Sequence, residues 1–364
     1  MSLFQFSGGN DGMSTIVPHG FDEYYKSRPK LSIPKNQVLK LNDQVGIVES
    51  AKPFKQMYDD GNATIIQGVG YPNPNRSHFV SMDYWHTGVN AGPVPATGWI
   101  GRTMDQIDPD GDQTRSILHI GTSRNLAVEG RRHRPISFRE AKNFGWAGPK
   151  VGEKAFEQMI RDSKKDAGPL SFIRRTAVDA VAASKQIRMA VHDYKTPVEW
   201  PVGPRGPTVA SRDLRTVAAL INSDFPARVC YVSQGGYDTH FGQKNSHPGL
   251  MAEWSQAAKA FHDDLVRLKQ DHRVLMLTFS EFGRRVKENF SQGTDHGVAG
   301  PVFLYGSPVK GDIVGEHPSL TELDNGDLKS AIDFRSIYAG IARDWMGVDP
   351  AKVVEEKVEP LSFS

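Results

Sequence analysis

The chain has one cysteine, Cys230, in 364 residues, so no disulfide can form within it, and the shortage of thiols argues against a structural zinc site. Cys230 lies inside the apolar run Val229-Cys230-Tyr231-Val232, the setting of a buried and inert thiol. No apolar stretch approaches the roughly eighteen residues of a membrane span, and no signal peptide precedes Leu3. Neither charge is in excess. The 44 basic and 42 acidic residues are well mixed and leave a net charge of +2, which gives no electrostatic footprint for nucleic acid. The densest basic cluster, Arg131-Arg132-His133-Arg134, reads as a solvated loop. No internal repeat or low-complexity tract is visible.

What the chain does have is a set of apolar runs with β-branched character: Leu3 to Phe6, Ala63 to Val69, Ser116 to Ile120, Arg228 to Ser233, Val274 to Phe279 and Pro301 to Tyr305. They read as buried strands. Between them lie segments of helical period. One carries Leu250, Trp254, Ala257, Phe261, Leu265 and Leu268; another runs from Leu170 to Val191; a third has Ile337, Ile341 and Trp345 at four-residue intervals, with Gly347 as a C-cap. Strands alternating with helices imply a three-layer α/β sandwich with a largely parallel central sheet. A single domain over residues 1–364 is expected. The Pro- and Gly-rich stretch from Thr196 to Pro207 reads as a surface loop, and the region from Gly88 to Gly148 as an irregular cap over the site.

Several strands empty into glycines followed by acidic residues and histidine. Leu3 to Phe6 leads to Gly8-Gly9-Asn10-Asp11, Arg228 to Ser233 to Gly235-Gly236-Tyr237-Asp238-Thr239-His240, and Val274 to Phe279 to Glu281. Asp295-His296 stand just before the run Pro301 to Tyr305. In an open α/β sheet the ligand crevice lies beyond the carboxyl ends of the strands, which is where these groups fall. Each has a plainer reading taken singly: a tight turn for Asp11, a loop-bracing hydrogen bond for Asp238 and His240. Four strand ends with oxygen or nitrogen donors are harder to explain that way. Mixed carboxylate and imidazole ligands suit zinc, manganese or iron.

Ser77 falls at the start of a short helix signalled by Met82 and Trp85. It is either an N-cap or a hydroxyl nucleophile activated by the helix terminus. Arg76 and His78 flank it, and a guanidinium there could clamp a phosphoryl or sulfuryl group. The segment Asp108-Pro109-Asp110-Gly111-Asp112 lacks the twelfth-position Glu of a calcium loop and reads as an acidic turn.

The segments Phe6-Ser7-Gly8-Gly9-Asn10-Asp11-Gly12, Pro72-Asn73-Pro74-Asn75-Arg76-Ser77-His78-Phe79, Gly235-Gly236-Tyr237-Asp238-Thr239-His240, Thr278-Phe279-Ser280-Glu281-Phe282-Gly283-Arg284 and Thr294-Asp295-His296-Gly297 together resemble an uncharacterised bacterial family, the domain of unknown function DUF1501, within the alkaline-phosphatase and sulfatase superfamily. The resemblance spans nearly the whole chain. It implies an alkaline-phosphatase-like fold and export by the twin-arginine route, this chain being a mature or trimmed form. It further implies Ser77 as nucleophile, with Asp238, His240 and His296 on one divalent cation, and Asp11, Ser77 and Glu281 facing a second. Asp295 could join either, and Arg76 or Arg284 would neutralise the equatorial oxygens of the substrate.

Departures from the superfamily pattern are also present. Glu281-Phe282 stand where Asp-His is usual, and the Asp238 to His240 spacing is tighter. Neither Cys230 nor Ser77 has the Pro and Arg that follow a formylglycine precursor. The expectation is therefore a hydrolase of phosphate or sulfate esters using one or two divalent metals (zinc, manganese, calcium or magnesium), with a small-molecule or glycan ester as substrate. The rivals are a metallohydrolase of another bond and a non-catalytic surface or carbohydrate-binding protein on the same scaffold.

Overall fold

The computed structural model describes residues 1–122, 125–161, 169–354 and 358–362. Its centre is a nine-stranded sheet. In chain order the strands are β1 (Ser2–Phe6), β2 (Ala63–Gly70), β3 (Ile117–Ile120), β4 (Ile136–Phe138), β5 (Val229–Gln234), β6 (Met276–Ser280), β7 (Gly300–Tyr305), β8 (Asp312–Val314) and the short β9 (Ile332–Asp333). The spatial order is β8-β2-β7-β6-β1-β5-β3-β4, and β9 also pairs with β2.

The runs that are apolar on both alternating sets of positions become the central strands because each face of the sheet is covered. On one face Phe4, Phe6, Ile65, Val232 and Phe303 pack with Phe54, Leu214, Val217, Trp254 and Phe261. These last come from helices α1 (Lys52–Asp59), α4 (Val209–Asn222) and α5 (Gln243–Arg267). On the other face Leu3, Ile66, Tyr231, Leu277, Phe279 and Val302 pack with Trp85, Ile100, Met104, Ile337 and Tyr338. The covering helices there are α2 (His78–Thr87), α3 (Trp99–Ile107) and α6 (Phe334–Gly340). This is the three-layer sandwich that the alternation of strands and helices implies.

The expected helix around Trp254 and Phe261 is α5, and the one from Leu170 to Val191 lies within Pro169–Asp193. The Ile337 and Ile341 helix ends in a π-helical turn, Ile341–Trp345, after which Gly347 takes a positive φ of 68°. The stretch from Gly88 to Gly148, expected as an irregular cap, also contributes to the main body. Its apolar runs are buried by extending the main body: it supplies α3 to one face and strands β3 and β4 to the sheet edge, each paired in parallel. Among the described residues no helix is long and apolar enough to cross a membrane.

Strand direction decides where the site forms. β1, β5 and β6 are mutually parallel, and β2 shares their direction because it is antiparallel to β7, which is antiparallel to β6. The loops after β1, β2, β5 and β6 therefore emerge at one edge. β7 runs the opposite way, so the loop that precedes it, with Asp295 and His296, arrives at the same edge.

Candidate metal centre

Three imidazoles and one carboxylate meet at this edge. His78 opens α2 after the β2 loop, Asp238 and His240 follow β5, and His296 precedes β7. His296 is brought in by an antiparallel bridge to Arg284 and by the Gly283 N to Val298 O and Gly297 N to Gly283 O hydrogen bonds, each 2.9 Å. The Asp238 loop lies directly on the β1 loop. Gly8 has a φ of +123°, and a Cβ there would come within 2.5 Å of the Asp238 nitrogen, so only glycine permits the approach.

Each imidazole is held through Nδ1 by a group that can only accept. His78 Nδ1 lies 2.8 Å from Glu281 Oε1, His240 Nδ1 is 3.1 Å from Asp295 Oδ1, and His296 Nδ1 is 2.8 Å from the Arg76 carbonyl oxygen. In all three rings the proton therefore sits on Nδ1, and Nε2 turns a lone pair inward. These three Nε2 atoms surround one oxygen, Asp238 Oδ1, at 3.5, 3.1 and 3.1 Å. His240 Nε2 and His296 Nε2 are 2.9 Å apart. Tetrahedral zinc with donors at about 2.0–2.1 Å places those donors roughly 3.3 Å from one another; among the described residues His78, Asp238 and His296 have ligand atoms all within 4.8 Å of one another, and His240 Nε2 adjoins two of them. The orphaned Nε2 of His78, which is buried without a hydrogen-bond partner, fits the same assignment. Neutral imidazoles with braced Nδ1 atoms are the form in which histidine ligates metals.

The electrostatics agree. Burial opposes ionisation of Asp238, but the Arg284 hydrogen bond and charge hold its pKa at about 2. The hydrogen bond to Glu281 raises the pKa of His78, and the hydrogen bond from Asn289 lowers that of Asp295. Phe282 lies against two of the rings, with its centroid 4.9 Å from that of His78 and 4.8 Å from that of His296. Phe282 is thus an apolar platform that supports imidazoles from other loops.

Other expected ligands fall elsewhere. Asp11 is fully buried in a two-pronged ion pair with Arg28, at 2.5 and 3.0 Å, and also accepts from Ser14 Oγ at 2.7 Å and from Gln243. Burial alone would raise its pKa, yet the Arg28 guanidinium overrides this and holds it at about 2. With both oxygens so engaged, Asp11 braces the β1 loop instead of facing a cation. Glu281 is likewise enclosed: Oε1 accepts from Gly8 N at 2.9 Å and from His78, and Oε2 accepts from Ser280 Oγ at 3.1 Å. It stands behind the centre, as Asp295 does behind His240. The second metal site expected from Asp11, Ser77 and Glu281 is therefore not assembled, because the two carboxylates serve different partners.

The arginines are committed as well. Arg284 is buried, donating to the carbonyls of Gly8, Gly9, Tyr237 and Thr294 and, at 2.7 Å, to Asp238 Oδ1. It ties three loops together and orients the carboxylate. Arg76 turns its guanidinium to buried Asp327 while its carbonyl braces His296. Ser77 is the exposed N-cap of α2, one residue before His78, and its hydroxyl makes no capping hydrogen bond. His247 lies in α5, buried, with Nε2 3.0 Å from Asn10 Oδ1.

Sequence reasoning missed Arg28, Gln243 and Asn289. Asn289 Nδ2 donates to the His240 carbonyl at 2.9 Å and to Asp295 at 3.1 Å. Nothing in their spacing marks them, since Arg28 and Gln243 meet Asp11, and Asn289 meets His240, only across the fold. For His78 the signal was present, an imidazole at a helix start beyond a strand, but its position beside Ser77 suggested catalysis ahead of ligation.

A model of the family described as "Protein of unknown function (DUF1501)" matches residues 3–358. The chain belongs to this family. No curated protein matches it by sequence. Among solved structures the DUF1501 chain is similar to a protein in the alkaline phosphatase superfamily from Vibrio parahaemolyticus, at 8% identity and a TM-score of 0.42 over 98% of this chain and 70% of that one. It is also similar to Ps i-CgsB in complex with k-i-k-neocarrahexaose (9% identity, TM-score 0.42, 98% and 72% covered). A third likeness is to the alkaline phosphatase from the Antarctic bacterium TAB5 (12% identity, TM-score 0.30, 86% and 94% covered).

Proposed function

We propose that the protein is a metal-dependent hydrolase of phosphate or sulfate esters with Ser77 as nucleophile. The observation that carries this reading is the convergence of three imidazole Nε2 atoms on Asp238 Oδ1, each ring braced at Nδ1 by an acceptor. His78, His240, His296 and Asp238 would hold one divalent cation, zinc or manganese by donor type. A bound cation supplies Lewis acidity, lowering the pKa of a nearby hydroxyl and stabilising charge on the transferred group.

The chain's own residues do the rest. Ser77 Oγ, exposed at the positive end of α2, forms a bond to phosphorus or sulfur as the bond to the ester oxygen breaks. The serine proton passes to solvent and the alcohol departs with a proton taken from water. Water then splits the seryl ester, releasing phosphate or sulfate and restoring the hydroxyl. Arg284 keeps Asp238 ionised and oriented, while Glu281, Asp295 and the Arg76 carbonyl hold the imidazoles. Export to the periplasm or cell surface remains part of the proposal.

Ser77→Ala tests it. Hydrolysis of 4-nitrophenyl phosphate and 4-nitrophenyl sulfate by the zinc- or manganese-loaded protein should fall by at least about a thousand-fold with metal content unchanged. Undiminished turnover by the variant would reject the nucleophile and favour attack by water.

A further inference from the structure

Beside the metal centre, at the same sheet edge, lies a cavity of about 560 Å³. Helix α2, which carries Ser77 and His78 at its start, turns the face with Phe79, Met82, Asp83 and His86 into it, and Ser7, Ile120, Gly121 and Ser233 from the strand ends form its floor. A group bonded to an ester at Ser77 would thus have this cavity next to it. Its volume lies within the ordinary range for small-ligand pockets, about 300–1,000 Å³.

Among the described residues the chemistry of its walls is mixed and close to neutral. Arg139 and Arg212 are balanced by Asp83 and Asp213, and Arg212 Nε donates to Asp213 Oδ1 at 2.7 Å. Asn125 adds a planar amide, its Oδ1 accepting from Ala127 N at 2.9 Å. His119 also lines the cavity; it is 3% exposed, and its Nδ1 has no hydrogen-bond partner. A buried polar atom without a partner is uncommon and points to a ligand that supplies one. Burial holds the pKa values of His86 and His119 at about 3 and about 4, so both rings are neutral and the balance of charge stands.

Phe79 is the exposed aromatic among its described lining residues, and two more stand on the loops of the metal centre. Phe79 is 85% exposed, Phe241 76%, and Phe290 fully exposed. Each is one residue along the chain from a group of the centre: His78, His240, or the Asn289 that bonds His240 and Asp295. Exposed large aromatics set around a polar site mark a binding surface. A ligand that offers many hydroxyls with no net charge, and flat C–H faces for aromatic rings, is a pyranoside.

We propose that this cavity binds the alcohol part of the substrate as a neutral sugar ring, Phe79 stacking on its face and Asn125, Arg139 and Asp213 meeting its hydroxyls, which makes the substrate class a glycan ester. The role of that alcohol in the reaction rests on the ester-hydrolase reading; the sugar site itself does not. The test is calorimetric titration of the metal-loaded protein with unesterified cellobiose and lactose, run beside 4-nitrophenyl ester hydrolysis. At least one disaccharide should bind with a Kd below about 10 mM, and Phe79→Ala and Arg139→Ala should each weaken it about ten-fold or more. Both side chains are exposed, so an unchanged melting temperature certifies the fold of each variant. Ester hydrolysis without sugar binding, or sugar binding that neither variant weakens, overturns the proposal. Sugar binding weakened by both variants, with no ester hydrolysed, supports the site while removing the hydrolase reading. Co-sedimentation with phosphatidylglycerol vesicles, lost in Phe241→Ala and Phe290→Ala while no disaccharide binds, overturns it in favour of a membrane surface.

Discussion

Asp11→Ala separates a brace from a ligand. In the folded chain Arg28 is wholly buried against Asp11, so removing the carboxylate strands a guanidinium in the interior. Its remaining partners are the Val286 and Arg285 carbonyls at 2.9 and 2.8 Å and Ser14 Oγ at 3.3 Å, none of which carries a charge. Breaking a buried ion pair by removing one partner costs about 3–5 kcal/mol. At an unfolding entropy of about 2.1 cal/mol/K per residue, a chain of this length unfolds with roughly 0.8 kcal/mol/K, so the melting temperature should fall by about 4–6 °C. The same pair sets an acid limit. With a folded pKa of about 2 against 3.8 when unfolded, Asp11 contributes about 2 kcal/mol, present above pH 3.8 and lost as the pH falls through about 2. Scanning calorimetry of the metal-free protein and metal content by elemental analysis are the two readings. Asp11→Ala should lose stability and keep its metal affinity, whereas Asp238→Ala should lose metal binding. If Asp11→Ala instead empties the centre while the metal-free protein melts at the wild-type temperature, Asp11 is a ligand and the assignment made from its hydrogen bonds is wrong.

Two more outcomes follow from the same geometry. Glu281→Gln keeps the shape but offers His78 a weaker acceptor; metal affinity measured by chelator competition should drop about 10–100-fold, and an unchanged affinity would remove Glu281 from the ring-orienting set. Asp213 is pushed up to about 6 by burial, against 3.8 unfolded, so its contribution, roughly 3 kcal/mol, is complete below pH 3.8 and disappears as the pH rises through about 6. Asp213→Asn should flatten that dependence, seen as a smaller fall in melting temperature between pH 4.5 and 7.5 than in the wild type; an equal fall would place the titration elsewhere.

The strands and principal helices were legible because their signals are local. Leu3 to Phe6 and Val274 to Phe279 can be buried only in a sheet covered on both faces, and Trp254, Phe261 and Leu265 recur at a period that only a helix satisfies. Between Gly88 and Gly148 the four-residue strand was legible in the run Ser116 to Ile120, whereas the three-residue strand Ile136–Phe138 is obscured by the glycines, prolines and arginines around it. The latter is stable only when paired at the sheet edge, a condition that no short window of sequence displays.

The donors themselves were also legible, since strand ends followed by glycine and then Asp, Glu or His form a local pattern. Which of them ligate and which brace was decided in three dimensions. A carboxylate beside a cation site becomes a ligand or a support according to what its oxygens already hold. For Asp11 that is Arg28, seventeen residues away; for Glu281 it is Gly8 N and His78, on loops from the opposite end and the first quarter of the chain. The reversed direction of β7 brings His296 to the ligand edge. Partner choice and strand direction are properties of packing, and they turn a list of candidate donors into three imidazoles around one carboxylate oxygen.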